Sequence, residues 1–175
     1  MPLATIPRPQ ADEHVPYYGR YIALVPDGDL ISILQDQMED TSRVLRAIPV
    51  EKADHAYTEG KWTVKEVIGH MGDVERVMSY RALRFARADA TELPGFDENT
   101  YVPAANFGRR TVDDLVDELV AVRAATIHLL RPLDDAALAR RGAANGAEIS
   151  VRALAYIIAG HERHHMSVLR ERYGV

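Results

Sequence analysis

Prolines and turn residues cut this chain into four apolar-periodic segments, and that division restricts the folds open to it. Pro2, Pro7, Pro9, Pro16 and Pro26 all precede residue 28. Proline removes a backbone donor and clashes with the preceding turn, so no long helix forms there. The same stretch carries Tyr17, Tyr18, Tyr21, Ile22, Leu24 and Val25, which predicts an extended N-terminal arm, residues 1–27, packed back onto a body at 28–175. From Asp29 to about Ile48, apolar residues recur at three- and four-residue steps until Pro49, the pattern of an amphipathic helix. Thr63 and Glu66 form a capping box that opens a second helix, running to about Ala88. Thr111 starts a third, which Pro132 stops, and Ser150 caps a fourth that ends near Tyr173. Residues 89–110 and 132–149 read as long loops, and no β-alternation competes. The expected fold is all-α, a single four-helix bundle domain.

Composition supports one domain with a substantial core. The chain has 175 residues, 47% of them hydrophobic. Its 21 Lys plus Arg against 26 Asp plus Glu give a net charge of −5. With no basic block, this argues against nucleic-acid or anionic-membrane partners. No apolar run approaches the ~20 residues that span a bilayer, and the first residues lack the apolar region of a secretory signal. A soluble, cytoplasmic protein is expected. Cysteine is absent, which excludes disulfides, thiolate metal ligands and a cysteine nucleophile.

The chemistry-bearing residues are histidines. A lone histidine on a helix is usually structural or exposed, but position singles out three of the seven. On the fourth helix, Leu154, Ile158, His165 and Val168 all lie within about 60° of His161, so both histidines sit in the apolar stripe. Two imidazoles one turn apart facing a core need partners for their nitrogens. A shared metal ion serves both, and the i, i+4 spacing suits chelation. His164 falls at the edge of the stripe. On the second helix, His70 sits among Val67, Val74 and Val77. A His70, His161, His165 set would leave one coordination position open. His70 lies about 10 Å from the start of its helix, and His165 about 12 Å from the end of the fourth. The three meet at one level if the second and fourth helices run antiparallel. That requires an up-down-down-up order, with residues 89–110 crossing the bundle between the second and third helices.

His161-Glu162-Arg163-His164-His165 also reads as H-E-x-x-H, the metallopeptidase pattern with glutamate as general base. Only ten residues follow His165, none of them histidine, so the expected third ligand is missing. The usual accompanying sheet has no support in the sequence either.

The segments KWTVKEVIGHMGDVERVMSYRALRFAR, GFDENTYV and AGHERHHMSVLRERY resemble the DinB/YfiT-like superfamily, over about residues 17–173. The resemblance implies an up-down-down-up bundle with metal ligands at His70, His161 and His165. It also implies zinc or nickel as the cofactor and frequent homodimers. Characterised relatives include metal-dependent thiol S-transferases and a thiol-dependent maleylpyruvate isomerase. Where relatives often carry Gly-Gln after the last histidine, this chain has Ser167-Val168.

The expected activity is therefore a metal-dependent transferase or hydrolase acting on a small molecule, with a low-molecular-weight thiol as co-substrate. The chain's lack of cysteine requires that thiol to come from outside. Asp73, one turn beyond His70, and Glu162 are the candidate catalytic carboxylates; Asp73 would orient the second nitrogen of His70. Gln37 and Thr41 interrupt an apolar stripe and would face the pocket. Asp97, Asn99 and Tyr101 are lid candidates, although ordinary turn chemistry is the simpler account of them. Arg76, Arg81 and Arg84 would bind an anionic thiol or serve as solvated charges. The competing expectation is a non-catalytic, stress-related binding module in which the metal only staples the bundle.

Overall fold

The computed structural model describes residues 5–175. Its helices are α1 (Pro16–Ile22), α2 (Leu30–Arg46), α3 (Val64–Ala86), α4 (Glu98–Ala105), α5 (Val112–Leu130), α6 (Asp135–Ala139) and α7 (Val151–Tyr173). Two short strands, β1 (Arg141–Ala144) and β2 (Ala147–Ser150), form an antiparallel hairpin. The long helices begin where side chains satisfy their first free N–H groups. Asp29 accepts from the Ser32 amide, Thr111 from Asp114 and Ser150 from Ala153. Both halves of the Thr63–Glu66 capping box are formed.

Three expectations are corrected. The arm is not wholly extended, because Pro16 opens the seven-residue helix α1, where its fixed φ suits a first turn. Residues 1–4 of the expected arm lie outside the described residues. The 89–110 stretch contains α4, capped by Asp97 and closed by Asn106 at φ 53°. The 132–149 stretch contains α6 and the hairpin. Asn145 and Gly146, at φ 55° and 72°, make the two-residue turn whose twist matches paired strands.

Side-chain contacts fix how the long helices meet. The Tyr173 hydroxyl, at the end of α7, donates to the Trp62 carbonyl just before α3, at 2.6 Å. Arg46, late in α2, pairs with Asp113 and Asp117 at the start of α5. Gln37 and Thr41 of α2 bond in sequence order to Ala159 and Glu162 of α7. The N-terminal segment is tied on by Glu13, which accepts from Ser150 at 2.7 Å and from Arg152. No helix among the described residues is long and apolar enough to cross a membrane.

The apolar core divides into two clusters. One gathers Leu30 and Leu34, α3 from Val74 onward, Ile127 and α7 as far as Ala159. The other gathers Leu45, α3 as far as Met71, Leu115 to Leu119, and α7 from Met166. Polar side chains occupy the seam. Arg123, 1% exposed, forks onto Glu75 of α3 through Nε at 2.8 Å and Nη2 at 2.9 Å. It also donates to Glu162 of α7 and, at 3.2 Å, to the Leu34 carbonyl of α2. Burial works against its charge, but the two carboxylates outweigh burial and hold the guanidinium protonated. Removing one partner of a buried ion pair leaves uncompensated charge. Arg123→Met should therefore lower stability by about 3–5 kcal/mol in urea denaturation. A loss within experimental error would contradict the assignment of this network.

Candidate metal centre

The histidines at the seam converge. His70 of α3 and His161 of α7 are buried, and His165 is half-buried one turn further along. The Nε2 atoms of His70 and His161 lie 3.2 Å apart, and those of His161 and His165 3.1 Å apart. Ligand nitrogens of all three fall within 4.8 Å of one another. Three nitrogens each 2.0–2.1 Å from a tetrahedral ion would be about 3.3–3.4 Å apart. The observed spacing fits a small divalent cation with little rearrangement.

Aromatic rings hold the imidazoles in place. Trp62 packs on His70 with ring centroids 4.6 Å apart. Tyr21 of α1 meets His161 edge-on at 5.4 Å and His164 at 5.5 Å. That approach depends on Gly160, because a Cβ there would lie 2.0 Å from the Tyr21 carbonyl oxygen. A glycine immediately before His161 therefore lets α1 lie against α7 at the level of the site. All three histidines line a cavity of about 630 Å³, together with Tyr17, Tyr18, Tyr21 and Trp62. An ion at the convergence point would face this space.

The other candidates fall elsewhere. Glu162, about 100° around α7 from His161, accepts from Thr41 and Arg123 and does not line the cavity. Gln37 donates to the Ala159 carbonyl at 3.1 Å and lines a separate cleft between α2 and α7. Asp73 lies 3.8 Å from Arg76, and burial raises its pKa; among the described residues it makes no hydrogen bond to His70. Asp97 caps α4, so its turn role is the realised one, while Tyr101 is exposed and packs on Phe96. Phe96 and Glu98 line the cavity from that segment. Sequence reasoning passed over Arg123 and Glu75. The available signal was an arginine four residues from both Leu119 and Ile127, hence in the middle of an apolar stripe.

Residues 33–169 match the DinB superfamily. The chain belongs to that superfamily. YfiT from Bacillus subtilis, described as a probable metal-dependent hydrolase with an unusual four-helix bundle topology, has a similar structure. The TM-score is 0.71 at 20% identity, covering 83% of this chain and 86% of YfiT. The mycothiol-dependent maleylpyruvate isomerase gives a TM-score of 0.63 at 14% identity, covering 83% of this chain and 61% of the isomerase. This DinB-superfamily chain thus spans less than two thirds of the isomerase's length. At these identities both likenesses establish the fold. Comparison with curated protein sequences gave no match.

In this DinB-superfamily site, burial is the main cause that depresses the basicity of all three imidazoles. It takes His70 down to about 4, His165 to about 3 and His161 well below 6.5. Mutual repulsion adds to the effect, from His164 at His70 and from His70 and His164 at His165. The rings are therefore neutral at pH 7, the form that ligates a cation. In the metal-free protein the unfolded chain takes up protons near pH 6.5 while the folded chain resists until about 3 to 4. Stability from these groups is complete above pH 6.5 and is lost as pH falls through that window. Urea denaturation of the metal-free protein between pH 7 and pH 4 should show this decline, flattened in His70→Asn. A decline of equal slope in both proteins would contradict the assignment to these imidazoles.

Proposed function

We propose that this protein is a metal-dependent enzyme that activates a low-molecular-weight thiol for transfer to an electrophile. His70, His161 and His165 would hold one zinc or nickel ion. The observation that carries this reading is the convergence of three neutral imidazoles on one point at the wall of a large cavity. A divalent ion held there supplies a Lewis acid that lowers the pKa of a thiol or water. The chain's own groups do the rest. Trp62 and Tyr21 fix the imidazole planes and restrict water on that wall. The cavity between α1, α3 and α7 admits the thiol, which the protein cannot provide from its own residues.

The same site could activate water, and the description of YfiT as a hydrolase favours this as the second activity. The isomerase's dependence on mycothiol favours thiol chemistry, which the cavity has room for. A purely structural staple has no need of the cavity beside the histidines. The reading includes an up-down-down-up helix order, with residues 89–110 crossing the bundle. The Tyr173–Trp62, Arg46–Asp113 and Thr41–Glu162 contacts support it. It also includes an arm at 1–27 on a single domain at 28–175, supported by the burial of Ile6 and Tyr21. The reading also includes a homodimer, which the family resemblance implies, and a cytoplasmic location, which the cysteine-free composition suits.

His165→Ala should abolish thiol-transfer activity and metal retention while leaving a folded bundle, because the two apolar clusters remain intact. Each core side chain contributes about 1.5–3 kcal/mol on burial. Circular dichroism melts with and without chelator, beside transfer assays with several thiols and electrophiles, test this. Unfolding of the wild type by chelator at room temperature would establish the staple instead.

A further inference from the structure

Two arginines are almost wholly buried among the described residues, and their surroundings differ. Arg123 is neutralised by two carboxylates. Arg81 of α3, 4% exposed, has none within 4.0 Å among the described residues. Its Nη2 donates to the Pro94 carbonyl at 3.0 Å, its Nη1 lies 3.9 Å from the Met78 sulfur, and the guanidinium packs 5.8 Å from the Phe96 ring centroid. Its remaining donors have no protein acceptor among the described residues. A buried cation without a counter-charge is costly to maintain. Arg81 nevertheless lines the histidine cavity.

The spacing along α3 adds a ruler. His70, Val74, Met78 and Arg81 all line this cavity. Eleven residues separate His70 from Arg81, which places their Cα atoms about 16 Å apart along the axis and about 20° apart around it. The cavity wall therefore runs from an imidazole cluster, over two apolar side chains, to an unpaired guanidinium. We propose that Arg81 recognises the anionic end of the ligand, an elongated organic acid whose carboxylate or phosphate supplies the missing counter-charge. Its apolar stem lies on Val74 and Met78, and its other end reaches the histidines. A planar guanidinium takes either anion through two parallel hydrogen bonds.

The proposal rests on the cavity being the working site, so the test separates the two ideas. In one arm, metal-free protein is titrated with hexanoate, hexyl phosphate and hexanol by calorimetry. At least one acid should bind, and more tightly than hexanol. Arg81→Met, which keeps the aliphatic stem, should weaken it at least about tenfold. The tighter of the two acids identifies the anion. In the second arm, cobalt-loaded protein receives mercaptohexanoate or mercaptohexanol, and the thiolate-to-cobalt absorption is followed. The acid should bind more tightly than the alcohol in the wild type and equally to it in Arg81→Met. Success of the first arm with no cobalt–thiolate signal would sink the thiol chemistry and keep the anion site. Failure of both acids to bind metal-free protein, or an affinity unchanged by Arg81→Met, would overturn the Arg81 proposal. If Arg81→Met does not fold, Arg81→Lys carries the comparison, since it keeps the charge and loses the paired hydrogen bonds. Undiminished acid binding in Arg81→Lys would then overturn the proposal.

Discussion

The guanidinium of Arg123 reaches all four long helices: its own α5, Glu75 of α3, Glu162 of α7 and the Leu34 carbonyl of α2. Hydrophobic contacts are tolerant of small slips, whereas a forked charge pair inside a core is not. Glu75 lies five residues beyond His70, and Glu162 immediately follows His161. Fixing those carboxylates fixes the level at which α3 and α7 meet, and hence the opposition of His70 and His161. The network and the histidines occupy adjacent faces of α7, with Glu162 about 100° around the helix from His161, at one seam between the apolar clusters. The charges of the network are enclosed in the core, and the imidazoles face the cavity.

That seam interrupts the core with polar groups of two kinds. Arg123, Glu75, Glu162 and Thr41 satisfy one another. The three histidines and Arg81 have protein partners that leave them incomplete, the histidines converging on one another and Arg81 lacking a counter-charge. The histidines and Arg81 line the same cavity, the histidines at the level of the seam and Arg81 further along α3.

Much of this was legible in the sequence because it rests on local rules. Helix starts at Asp29, Thr63, Thr111 and Ser150 follow from side-chain capping, which involves neighbours three residues away. The histidine trio followed from helical periodicity and a comparison of levels. What escaped was either short or long-range. The helices α1 and α4 are too brief for an apolar period to show. The Asn145–Gly146 turn carried a hairpin signal, but its four-residue strands are too short to alternate visibly. The position of Gln37 and Thr41 in an apolar stripe was visible, yet the burial of Glu162, which Thr41 meets, was not. That depends on Arg123, which sits 48 residues from Glu75 and 39 from Glu162. The tyrosines of α1 were legible as packing residues. Their place on the cavity wall depends on the close approach at Gly160, a tertiary contact.

The central claim is that three histidines hold a divalent ion with a position left for a thiol. X-ray absorption at the zinc edge of the zinc-loaded protein tests it most directly, recorded before and after adding a small thiol. The account predicts imidazole nitrogens at about 2.0–2.1 Å in both spectra and a sulfur scatterer at about 2.3 Å only in the second. Zinc retained with imidazole ligation but without any sulfur contribution at saturating thiol would contradict it.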